Sequence, residues 1–178
     1  MARAKRDDAS AALFRVPPAE FVAARRRLVT ELRAAKRDAD AKAARLRKPT
    51  VALWAANQAA HTNRHAVDAL LDAVRRLKQA HLGRGDLRGA IDAQRTALDG
   101  LTASAREQLG AIAHAATPEI VARVSATLLA SAVDPGAHDA LRAGQLTGER
   151  PAPGFEAFGA GVVKAPTRAA RGARSRAP

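Results

Sequence analysis

The sequence has no cysteine, one methionine, one tryptophan and four phenylalanines in 178 residues. Without cysteine there are no disulfides, no thiol catalysis and no cysteine-ligated zinc, and a reducing compartment is suitable. Aromatic residues make up 3% of the chain although hydrophobic residues make up 47%, and alanine supplies much of the difference. Such a composition predicts a thin core, in which helices approach closely with Leu, Val and Ile between them. No uncharged apolar run approaches the roughly 18 residues that a membrane helix needs, so no membrane span is expected. Residues Met1 to Asp8 include bases but no apolar run follows, which argues against a secretory signal and for a cytoplasmic protein.

Catalytic signatures are also missing. There is no nucleophile elbow, no phosphate loop and no pair of carboxylates at acid–base spacing, and Gly83-Arg84-Gly85 is too short to cradle a phosphate. His61 and His65 stand four apart, a spacing that can hold a metal from one helix face. Thr62-Asn63 interrupts that helix and no carboxylate stands near, so structural roles are expected for both. The expectation is a protein that is not an enzyme and carries no cofactor.

What the chain has in excess is positive charge, +13 formally. The partner class this suggests is DNA or RNA, or an anionic membrane surface. Arginine over lysine, with abundant alanine, is also what a GC-rich coding sequence produces. The distribution speaks against that explanation alone: residues 1–86 carry 19 Lys and Arg against 9 Asp and Glu, residues 87–147 carry 5 against 6, and residues 148–178 carry 6 against 2. A uniform bias would not leave the middle neutral, so the asymmetry points to a basic face and a basic tail.

Hydrophobic periodicity is helical throughout. Residues 1–12 read as a disordered N-terminus, 13–147 as a single helical domain and 148–178 as a disordered Pro/Gly/Arg-rich basic tail. Leu13 and Phe14 form a short apolar anchor before Pro17 and Pro18, which suit a helix start. From there Phe21, Ala24, Leu28, Leu32, Ala35, Ala39, Ala43 and Leu46 recur at steps of three and four with no Gly or Pro between. This predicts one basic helix of about 30 residues, some 45 Å long. Four-apart pairs along it are Arg27 with Glu31, Lys36 with Asp40 and Asp38 with Lys42, while Arg26, Arg33 and Arg37 lie opposite the apolar stripe without such a partner.

Pro49 ends this helix, since proline pushes its predecessor toward extended backbone. Thr50 is the expected N-cap of a second helix, which places Pro49 and Trp54 at the two positions of a hydrophobic staple. Asn57 and Gln58 follow one turn on. An amide pair beside an indole can stack on and read a base, but a single aromatic is a poor platform; the favoured reading buries the indole and lets the amides satisfy carbonyls at 48–50. A third helix carries Val67, Leu70, Leu71, Val74 and Leu77 on one face. A fourth is capped by Asp86, a fifth starts at Thr117-Pro118-Glu119, and a short sixth starts at Asp134-Pro135 and closes at Gly144. The expected architecture is an all-α antiparallel bundle of five to six helices with a long basic first helix.

Arginine stays charged at any relevant pH and grips phosphate oxygens bidentately. Arg26, Arg33, Arg37, Arg47 and Lys48, with tail residues Arg168, Arg171, Arg174 and Arg176, are therefore the candidate nucleic-acid contacts. Such contacts carry no base information, so weak, salt-sensitive, non-specific binding is expected. The alternative is a helical interaction or scaffold module with a solvated basic face, engaging a protein partner or a second copy.

In Leu13-Phe14-Arg15-Val16-Pro17, in Leu46-Arg47-Lys48-Pro49-Thr50 with Trp54, Asn57 and Gln58, and in Ala132-Val133-Asp134-Pro135 with Leu141-Arg142-Ala143-Gly144, the chain resembles a group of uncharacterised all-helical proteins of high-GC bacteria. The resemblance spans roughly residues 13–147. It implies a bacterial cytoplasmic protein and transfers no catalytic residue.

Overall fold

Side chains that cap their own helix mark out most of the elements. The computed structural model describes residues 10–153, among which there are seven α-helices and no strand. A 3-10 turn at Ala12–Arg15 precedes α1 (Phe21–Ala34) and α2 (Asp38–Ala43). Then come α3 (Val51–Thr62), α4 (Arg64–His81), α5 (Leu87–Ala111) and α6 (Pro118–Val133), and a second 3-10 turn, Pro135–Ala137, leads into α7 (His138–Ala143). Residues 1–9 and 154–178, which hold most of both expected disordered segments and all four tail arginines, lie outside the described residues.

Each expected cap forms. Thr50 accepts from Leu53 N–H at 3.1 Å, Asp86 from Gly89 N–H at 3.0 Å, Thr117 from Ile120 N–H at 3.3 Å and Asp134 from Gly136 N–H at 2.9 Å. Asn63 ends α3 and caps α4 in the same residue, accepting from Ala66 N–H. These bonds satisfy backbone donors that a helix start leaves orphaned.

The long first helix does not survive intact, and its division raises the helix count from the expected five or six to seven. α1 closes in a Schellman turn: Lys36 N–H donates to Arg33 O at 2.9 Å and Arg37 N–H to Leu32 O at 2.8 Å, with Lys36 at φ 56°. A left-handed non-glycine residue costs about 1 to 2 kcal/mol. The turn offsets that by folding α2 back on α1, so that Leu32, Ala41 and Ala44 are buried with Phe21 and Leu13. A straight helix would have left this stripe in water.

α3 is the central element. Ala52 through Ala60 are all buried, which makes α3 a helix enclosed all round. It packs on α5, α6, α7 and the first 3-10 turn, while α4 lies along α5. Alanines at 52, 55, 56, 59 and 60 let these neighbours close on the α3 backbone, and Leu70, Leu101, Leu109, Leu128 and Leu141 fill the spaces. Gly144, just after α7, lies close against α3: its φ is +64°, and a Cβ there would lie 2.6 Å from Asn57 O and 3.1 Å from His61 Cβ. Only glycine fits both demands.

α1 packs chiefly on α2 and the first 3-10 turn, so the arginine-rich hairpin stands beside the main core as a satellite with its own small apolar cluster. Leu13 is buried in that cluster, and the half-buried Phe14 is held through its backbone carbonyl, which accepts from Gln58 Nε2. The chain also stays on the body beyond Thr147. Arg123 donates to both carboxylate oxygens of Glu149 at 2.7 and 2.6 Å, Thr50 Oγ1 donates to the same carboxylate, and Arg150 N–H donates to Thr127 Oγ1.

Candidate nucleic-acid interface

Trp54, Asn57 and Gln58 turn inward, and the partners of the two amides are other than those expected. Trp54 is 3% exposed, and its indole N–H points to Arg15 O at 3.5 Å, inward toward the N-terminal turn. Asn57, 2% exposed, donates from Nδ2 to Leu146 O at 2.9 Å and accepts from Leu146 N–H at 2.8 Å. Gln58 Nε2 donates to Phe14 O at 2.8 Å. The amides therefore satisfy backbone groups at the two far ends of the domain, and not the carbonyls of residues 48–50. Its Nδ2 and Oδ1 are both engaged by Leu146 and the side chain of Asn57 is buried, which turns the amide away from solvent and from any base.

Arginines gather on one concave surface of the hairpin. Arg25, Arg26, Val29, Thr30, Arg33 and Arg45 line an open groove of about 540 Å³. On α1, residues 25, 29 and 33 are spaced four apart, with 26 and 30 in the adjacent row, so one helix face supplies five of the six. The return through Lys36 brings Arg45, just past α2, against that face. Arg25 is fixed: its Nη1 donates to Leu46 O at 2.6 Å and its guanidinium lies 6.0 Å from the Phe21 ring centroid. Arg26, Arg33 and Arg45 make no ion pair or hydrogen bond among the described residues, and no carboxylate lines the groove.

The other expected contacts disperse. Arg37 Nε is paired with Asp40 at 2.8 Å, three residues on, so it is not the unpaired charge expected. None of the four-apart pairs expected along the first helix forms. Arg47 lines a neighbouring cleft, and the exposed Lys48 lines neither cavity. Arg25, Thr30 and Arg45 were missed by sequence reasoning. Arg25 has a detectable signal, since it sits one turn before Val29; Arg45 has none, since only the fold places it.

The acids are engaged elsewhere. A hydrogen bond from Arg123 holds the Glu149 carboxyl below the usual range, and the Arg150 guanidinium, 2.6 Å from Asp134, does the same there. These are exposed pairs worth little to stability. His61 is made less basic by burial, then by the charges of Arg15 and Arg64. It lies in the last turn of α3 and His65 in the first turn of α4, and among the described residues no group of three or more His, Asp or Glu could hold a metal ion. No described helix is long and apolar enough to cross a membrane.

No family model matches the chain, and no curated protein and no solved structure matches it significantly.

Proposed function

We propose that this is a non-enzymatic, cytoplasmic bacterial protein that holds the phosphate backbone of DNA or RNA without reading base sequence. The groove of α1 and Arg45 supplies one contact surface, and the C-terminal arginines Arg168, Arg171, Arg174 and Arg176 supply a second. The observation that carries this reading is the set of four arginines on one concave surface with no carboxylate in its wall. Unpaired guanidinium groups held together by the fold repel one another, and an anion with regularly spaced charges relieves that repulsion.

Binding of duplex DNA, single-stranded DNA and RNA, measured against salt, tests the reading. Each neutralised phosphate contributes about −0.9 to the slope of log K against log salt on duplex and about −0.7 on a single strand. Arg26→Ala with Arg33→Ala should make the slope shallower by about 1.4 to 1.8 and weaken all sequences alike. Undetectable binding at low salt sinks the proposal.

A second reading, the helical interaction module, draws on Leu82, Leu87 and Ile91, which are 63%, 42% and 47% exposed around the start of α5. Of these, Leu87 and Ile91 stand four apart on one face of α5, where exposed apolar side chains suit a contact surface. Mass in solution at several concentrations, with a lysate pull-down before and after nuclease, separates the readings: partners that survive digestion favour the module.

A further inference from the structure

Beside the arginine groove, and sharing Arg45 with it, lies a narrower cleft of about 360 Å³ between the hairpin and the main core. Its accessible apolar walls are the partly exposed Phe14, Leu46 and Pro49, backed by the buried Phe21 and Leu53, and Arg45, Arg47 and Thr147 add its polar groups. We infer that this cleft receives an unstacked nucleobase of a single strand whose phosphates run along the arginine groove, so that the protein prefers single-stranded nucleic acid to duplex. The inference rests on the phosphate-binding reading above and adds the strand class.

Three observations carry it. The volume lies at the lower end of the range for small-ligand sites, enough for one planar ring system. An occupant with apolar faces joined to an anion suits this lining, because the same Arg45 lines both cavities and Arg47 makes no ion pair or hydrogen bond among the described residues. A nucleotide joins a flat π-face to a phosphate at that kind of reach, and unstacked bases of single strands lodge against aromatic and apolar side chains. The wall between the cavities is also braced: Arg25 binds Leu46 O at 2.6 Å and lies over Phe21, so the hairpin holds the cleft and the groove side by side.

The cleft offers little for reading base identity. Asn57 lines it, but its amide is committed to Leu146 in both directions. The base is therefore accepted by shape and stacking, with weak discrimination among the four. A duplex cannot present a base in this way without unpairing it.

The test compares three fluorescently labelled DNA ligands of equal length at low salt: a base-bearing single strand, an abasic strand with the same number of phosphates, and a duplex. The base-bearing strand should bind about tenfold tighter than the abasic strand, and tighter than the duplex. Phe14→Leu, which keeps apolar bulk on the cleft wall and removes the aromatic face, should reduce the preference for the base-bearing strand over the abasic one several-fold. Equal affinity for base-bearing and abasic strands overturns the inference while leaving backbone binding standing. So does a duplex bound as tightly as the single strand, or a Phe14→Leu protein that keeps the full preference. Failure of all three ligands to bind removes both readings together.

Discussion

Replacing Asn57 by leucine keeps a side chain of similar size in the centre of the molecule and deletes both bonds that hold the chain after α7 to α3. Leu146 is 4% exposed, so its N–H and C=O have no access to water once the amide is gone. Leaving a buried backbone group unpaired costs about 1 to 3 kcal/mol, and two are left here. The apolar side chain recovers about 1.5 to 2 kcal/mol from burial, for a net loss of about 0 to 4.5 kcal/mol, centred on about 2 kcal/mol. Urea unfolding followed by circular dichroism measures this: at a typical slope of about 1 to 3 kcal/mol per molar urea the midpoint should fall by about 1 M with the slope unchanged. Asn57→Asp refines the reasoning. The carboxylate still accepts from Leu146 N–H but faces Leu146 O with no hydrogen to give, so burial and the carbonyl raise its folded-state pKa above the unfolded value. Its stability is then best below the unfolded pKa, where the protonated acid donates as the amide did, and is lost as pH rises through the folded pKa. A leucine variant with the wild-type midpoint, or an aspartate variant with no such pH dependence, would show that the chain at Leu146 finds other partners.

Gly144→Ala should cost about 3 to 5 kcal/mol, from a left-handed backbone and a Cβ pressed on Asn57 O, and should lower the melting temperature sharply. Lys36→Gly should act in the opposite direction, raising stability by about 0.5 to 1 kcal/mol because φ 56° suits glycine; a loss would mean that the Schellman turn between α1 and α2 is misplaced. Trp54→Ala should cost about 3 to 5 kcal/mol through the cavity left by the indole; unchanged melting with altered nucleic-acid binding would move Trp54 from core to interface. Glu149→Gln should lower stability slightly above the usual glutamate pKa range. Arg123 depresses the folded-state pKa of Glu149, so that contribution is lost as pH falls through it and the variant and parent should converge in acid.

The sequence by itself determined what depends on neighbours in the chain. Thr50, Asn63, Asp86, Thr117 and Asp134 cap helices by bonds that reach only two or three residues on, so their types and positions announce the helix starts. The apolar face of α4, Val67, Leu70, Leu71, Val74 and Leu77, is buried as its spacing requires. Tertiary structure decided whatever depends on residues far apart. The break at Lys36 carries no glycine or proline, because it is driven by packing gained when α2 folds onto α1 and not by local preference. Asn57 meets Leu146 across 89 positions and Gln58 meets Phe14 across 44, distances over which periodicity has no bearing. The broken first helix also made the arginine groove: a straight one would have displayed Arg26, Arg33 and Arg37 in a line and carried Arg45 away, whereas the hairpin sets Arg45 beside Arg25, Arg26 and Arg33 and gives Arg37 to Asp40. Charge was legible as composition, and its convergence on one surface came from the turn that buried Leu32.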